Sequence, residues 1–154
     1  MGQPEVTLST AAGEAAAPPS AMVIFGANGD LTRRMLMPAL YRLAYEGRLA
    51  EGFSVVGISR TPMADEQFRE KMRESVRQFL KDSPFDEPLW EEFAKGLFYL
   101  DGDTFDAGMY ERLKARLDEV ERTRLRFDGR RRKANGDRLR FWLFFFQAED
   151  GIRD

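Results

Sequence analysis

IFGANGDLTRRMLMPAL, residues 24–40, decides how the rest of the chain is read. An apolar run ends at Gly26, a second glycine follows at 29, and Asp30 and Leu31 lead into a helical pattern. Just before it, AMVIF (21–25) is short and apolar throughout, as expected for a parallel strand buried on both faces. From about Leu31 to Glu46, Leu36, Ala39, Leu40, Leu43 and Ala44 recur at helical spacing and predict one apolar face. Gly47 suits the position just past a helix end. Pro38 lies inside this pattern, so a kink or a lost hydrogen bond is expected there.

The turn Gly26-Ala27-Asn28-Gly29-Asp30-Leu31 therefore joins a strand to a helix. A tight turn of this kind favours glycine because other residues resist positive φ. A second glycine lets a pyrophosphate approach the backbone, and the helix start offers free N–H groups and partial positive charge to an anion. The spacing is Gly-x-x-Gly rather than Gly-x-Gly-x-x-Gly, and no Gly-Lys-Ser/Thr follows, which argues against a P-loop. A plain strand-to-helix turn capped by an aspartate fits the same residues.

Working outward, FSVVGIS (53–59) is a second buried strand. Phe68, Met72, Val76, Phe79 and Leu80 give residues 65–80 an amphipathic helical face. Pro88 to Lys95 reads as a short helix, with Gly96 past its end. LFYL (97–100) is a third strand. Residues 106–120 form a helix with Tyr110, Leu113, Leu117 and Val120 on one face. Strands alternating with helices imply an α/β fold with a doubly wound, Rossmann-like parallel sheet, here incomplete.

Composition narrows the function. The chain has 154 residues, enough for one domain with a core. Charged residues make up 32% and the net charge is −2, so no nucleic-acid or membrane partner is expected. There is no cysteine and no histidine. That removes thiolate metal sites, the commonest metal ligand and the commonest general base. The longest apolar run, Phe141 to Phe146, is too short to span a bilayer. Residues 1–20 carry no Lys or Arg and are rich in Ala, Pro, Ser and Gly. They read as a disordered leader rather than a targeting signal, and a cytoplasmic protein is expected.

The second strand ends Gly57-Ile58-Ser59-Arg60-Thr61. In dinucleotide-binding sheets an acidic residue near this strand's end holds the ribose hydroxyls, and an arginine accommodates the 2′-phosphate of NADP. Arg60 therefore favours NADP, although a solvated loop arginine would look the same. Taken together, FGANGDLTRRMLMPALYRL, VVGISR and GLFYLDGDTFDAGMYERLKARL resemble the N-terminal part of the glucose-6-phosphate dehydrogenase family over about residues 22–122.

That resemblance implies that Gly26, Ala27, Asn28, Gly29, Asp30 and Leu31 line the NADP turn and that Arg60 grips the 2′-phosphate. It also implies that Asp103 and Thr104, at the end of strand three, touch the cofactor. Asp103 equally suits a cap on the next helix. The family acts on glucose 6-phosphate with NADP, and a homo-oligomer is expected at full length. Many members carry a lysine near the substrate where this chain has Met35, and methionine at this spacing is expected in the core. The family's Glu-Lys-Pro and Arg-Ile-Asp-His-Tyr segments are absent, so no catalytic residue is expected in this chain and the fragment should be inactive.

The end of the chain reads differently. The basic run 122–140 is expected to be a solvated loop rather than a nucleic-acid patch. ANGDRLRFWL (134–143) reads as the start of a fourth strand, closing a partial dinucleotide-binding domain over 21–143. FFFQAEDGIRD (144–154) resembles translated sequencing-adapter read-through and is expected to be a non-native tail. Two other functions fit parts of the pattern. A non-catalytic dinucleotide-sensing module needs only the turn and Arg60. A short-chain reductase would use the Tyr110-x-x-x-Lys114 pair, but its glycine turn and serine are missing and Tyr110 is expected on the apolar face.

Overall fold

The structure, a computed structural model, describes residues 20–50, 52–81, 83–127 and 140–145. Most of the expected leader and of the expected tail lie outside the described residues.

β1 (Ser20–Phe25) leads through the glycine turn into a π-helical turn (Thr32–Leu36) and α1 (Met37–Tyr45). Then come β2 (Ser54–Ser59), α2 (Asp65–Phe79), α3 (Glu87–Ala94), β3 (Leu97–Asp101), α4 (Ala107–Phe127) and β4 (Arg140–Phe145). The sheet order is β3-β2-β1-β4 and every pairing is parallel. The chain steps from β1 outward to β3, then crosses back to β4 on the other side of β1. A constant crossover hand requires the helices to change face when the direction reverses.

They do. Ile24, Val55, Leu97 and Tyr99 pack with Met37, Tyr41, Phe68, Met72 and Trp90 of α1, α2 and α3. Ala21, Val23, Phe25, Val56 and Ile58 pack with Met109, Leu113 and Val120 of α4. β1, β2 and β3 thus send alternate residues into two cores. This is the doubly wound α/β arrangement expected from the sequence.

Several expectations need correction. Pro38 does not simply kink one α-helix. Met37 N–H reaches back to Thr32 C=O, widening the turn ahead of the proline before α1 begins. Pro38 has no N–H to give and its ring would crowd the carbonyl four residues earlier, so a wider turn relieves both. Met35 is 63% exposed rather than core, on one stripe with Ala39 and Arg42, which are exposed as well. On α4, Met109 is fully buried while Tyr110 is 45% exposed. Met109 lies on the Leu113 stripe, whereas Tyr110 sits at its margin with its ring 6.3 Å from that of Phe25. Finally, the basic run does not begin as a loop, because α4 continues to Phe127. Arg124 explains the continuation: its Nε–H donates to Ser54 Oγ at 3.1 Å and its NH2 to Phe53 C=O at 3.3 Å. Burial pushes this guanidinium's pKa down. β4 also runs on to Phe145, so Phe144 and Phe145, expected in the tail, pair with Ile24 and Phe25 of β1.

Candidate functional site

Three strand ends are stitched together on one side of the sheet. Gly26 N–H and Ala27 N–H both donate to Ile58 C=O, at 2.8 and 3.0 Å. Gly102 N–H donates to Ser59 C=O at 2.9 Å. The segments following β1, β2 and β3 therefore lie next to one another at their carboxyl ends, where open α/β sheets bind ligands.

Gly26 has φ of +88°, in the region other residues resist. Gly29 is not among the positive-φ glycines. Gly29 N–H donates to Gly26 C=O at 3.0 Å and closes the turn. The first helical bond runs from Arg33 N–H to Gly29 C=O at 3.2 Å. The N–H groups of Asp30, Leu31 and Thr32 precede it and have no acceptor within the helix. Thr32 is fully buried and its hydroxyl donates to Gly26 C=O at 3.3 Å. A threonine in a helical run has no distinguishing signal in the sequence. Asp30 is exposed and flanked by Arg33 and Arg34 at 3.5 and 3.9 Å, which leaves the cluster with one net positive charge.

Ala27 is buried and faces Gly57 of β2, where an added Cβ would stand 2.7 Å from Ala27 Cβ. Arg60 is exposed, and its guanidinium makes no hydrogen bond or ion pair among the described residues. Asp103 does not cap α4. Its Oδ1 accepts from Phe105 N–H at 3.0 Å, shaping the loop after β3, while Asp106 Oδ1 caps the helix by accepting from Gly108 N–H at 3.0 Å. Thr104 is half-buried in the same loop. Arg112 of α4 holds that loop's base by donating to Asp101 C=O at 2.8 Å, another role with no sequence signature. All nine expected site residues thus fall on these three segments.

A dinucleotide suits this surface chemically. The turn offers unpaired helix-start N–H groups for a pyrophosphate. Asn28 Oδ1 is buried without a hydrogen-bond partner among the described residues, and a buried polar atom left in that state is costly unless something completes it. Among the described residues no cluster of acidic side chains could hold a metal ion, and no helix is long and apolar enough to cross a membrane. Tyr110 and Lys114 lie on α4, away from the glycine turn's own helix, which gives the reductase reading no support.

Comparison with known proteins agrees with the fold. The family model described as "Glucose-6-phosphate dehydrogenase, NAD binding domain" matches residues 23–132. A glucose-6-phosphate 1-dehydrogenase of Chlamydia muridarum is 46% identical over 106 residues, covering 69% of this chain and 21% of the relative. One from Bacillus subtilis is 34% identical over 106 residues, 69% of this chain and 20% of the relative. Among solved structures, glucose-6-phosphate 1-dehydrogenase from Mycobacterium avium aligns with a TM-score of 0.59 at 33% identity, over 66% of this chain and 22% of that one. A glucose-6-phosphate dehydrogenase in complex with its substrate glucose-6-phosphate aligns with a TM-score of 0.63 at 29% identity, over 82% and 24%. The chain spans about a fifth of the length of the curated relatives it matches.

Proposed function

This chain belongs to the glucose-6-phosphate dehydrogenase family, and from that premise we propose that it is the NADP-binding part of an enzyme oxidising glucose 6-phosphate to 6-phosphogluconolactone in the oxidative pentose phosphate pathway. The observation that carries the reading is Arg60. It follows directly on the strand that is bonded to the glycine turn, and its guanidinium has no partner among the described residues. A guanidinium so placed makes bidentate, charge-assisted bonds to a 2′-phosphate.

In this reading residues 21–143 form the dinucleotide-binding unit, β4 carries it on through Phe144 and Phe145, and 146–154 are foreign to it. The turn from Gly26 to Leu31 presents N–H groups to the pyrophosphate, with Thr32 holding the Gly26 carbonyl and so the turn's shape. Asn28 turns its buried amide toward the cofactor. Asp103 and Thr104 border it from the β3 side, on a loop fixed by Arg112. Bound NADP supplies the hydride acceptor. The chain itself binds and orients but does not catalyse, because hydride removal from a sugar hydroxyl needs a base for the proton. There is no histidine, and neither the Glu-Lys-Pro nor the Arg-Ile-Asp-His-Tyr segment is present. Glucose 6-phosphate, a homo-oligomeric partner and a cytoplasmic setting belong to the complete protein.

Calorimetric titration of the chain with NADP tests the reading. Saturable binding that is lost in Gly26→Val, whose side chain a φ of +88° disfavours, is expected. Binding that survives Gly26→Val would move the cofactor away from this turn.

A further inference from the structure

β3 forms one edge of the described sheet. Gly96 C=O accepts from Val55 N–H and Gly102 N–H donates to Ser59 C=O. By strand alternation, the backbone groups of Leu97, Tyr99 and Asp101 then face away from β2. Such an edge is a template for another strand.

Here each of those three residues has an outward backbone group taken by a side chain. Arg69 Nε–H donates to Leu97 C=O, Tyr99 N–H donates to Asp65 Oδ1, and Arg112 NH2 donates to Asp101 C=O, all at 2.8 Å. Asp65 and Arg69 come from α2, while Arg112 comes from α4. These helices lie on opposite faces of the sheet. They are tied to one another around the edge, because Arg116 of α4 donates to Asp65 Oδ2 at 2.5 Å. The guanidinium carbons of Arg116 and Arg69 both stand 5.5 Å from the Phe98 ring centroid, within cation–π range.

We propose that the Asp65–Arg116 pair, with Arg69 and Arg112 beside it, is a clasp that closes the β3 edge against strand addition. An ordinary surface ion pair contributes little to stability, and an acidic residue in a helix's first turn needs no partner on another helix. What those roles leave unaccounted for is the use of both Asp65 oxygens. One caps the edge strand's amide and the other binds the helix on the far face. A strand approaching β3 would have to displace α2 and α4 side chains at three successive outward residues.

The chain has no cysteine, so Asp101→Cys provides one pyrene attachment point at the end of β3, and excimer emission reports edge-to-edge contact. In that background Asp65→Ala is expected to raise excimer emission severalfold and to speed exchange of the Tyr99 amide about tenfold. Asp65→Asn keeps an acceptor oxygen for that amide and falls between. Arg116→Leu leaves Asp65 on α2, so it decides the matter if Asp65→Ala does not fold, and it too is expected to raise the excimer with unchanged helix content. Excimer emission that stays at the parent level in a folded Asp65→Ala or Arg116→Leu overturns the proposal. So does association without excimer, because the contact then lies elsewhere.

Discussion

Gly57 and Phe68 meet so closely that a single added carbon would not fit between them. A Cβ on Gly57 would stand 2.8 Å from Phe68 Cζ and 2.7 Å from Ala27 Cβ. Through this glycine α2 packs onto β2, and the buried residue of the glycine turn settles against the same spot. The core and the candidate site thus share one tight contact.

Gly57→Ala should therefore destabilise the fold by about 1–3 kcal/mol, the range for overpacking a close-packed core. Because Ala27 of the glycine turn is one of the two residues in the way, NADP affinity should fall as well. Urea unfolding and cofactor titration of the same variant check both halves. A variant as stable as the parent would mean that the helix and turn yield freely.

Thr32→Val keeps the shape of a buried side chain and removes the hydroxyl that donates to Gly26 C=O. A loss of about 1 kcal/mol in stability is expected, with weaker NADP binding because the turn loses its brace. Unchanged binding in a folded variant would show that Gly26 is held by its backbone bonds alone.

Tyr41→Phe probes the core away from the strand ends. The Tyr41 hydroxyl accepts from Asp86 N–H at 2.9 Å and donates to Asp86 C=O at 3.2 Å, tying α1 to the start of α3. Removing it should cost about 1–2 kcal/mol and leave NADP affinity unchanged. Burial pushes the phenol's pKa up, which the Asp86 hydrogen bond only partly opposes. A group with a raised folded pKa contributes its stability below the unfolded value of about 10 and loses it as pH climbs through the folded one. The parent's advantage over Tyr41→Phe should thus be intact at neutral pH and shrink in alkali. Chemical denaturation across that range reads it directly.

Much of this was legible in the sequence because it rests on local pattern. The apolar runs at 21–25, 53–59 and 97–100 are strands, the helices follow in order, and Gly26 has the positive φ that its turn demands. What was not legible depends on partners distant in sequence. Met35 reads as core by its residue type, but the face that α1 buries is set by Met37, Leu40 and Tyr41, and Met35 falls outside it. The basic residues after Val120 looked like loop because the acceptor that draws Arg124 inward is about seventy positions earlier. Gly57, Thr32 and Arg112 carry no motif of their own, and each matters only for what the fold brings beside it.

Purified chain with NADP and glucose 6-phosphate should form no NADPH above a no-protein control. No histidine is present, and Asp30 is held between two arginines on the turn. Turnover that disappears in Gly29→Val would show that the chain contains a base and a sugar site after all.

The claim that most needs testing is that Arg60 selects the cofactor. Equilibrium titration of parent and Arg60→Ala with NADP and with NAD is the measurement. Charge-assisted bonds to a phosphate contribute on the order of 1.5–3 kcal/mol each. Arg60→Ala should therefore weaken NADP about tenfold or more and leave NAD nearly unchanged. An equal loss for both cofactors, or none for either, would contradict the account.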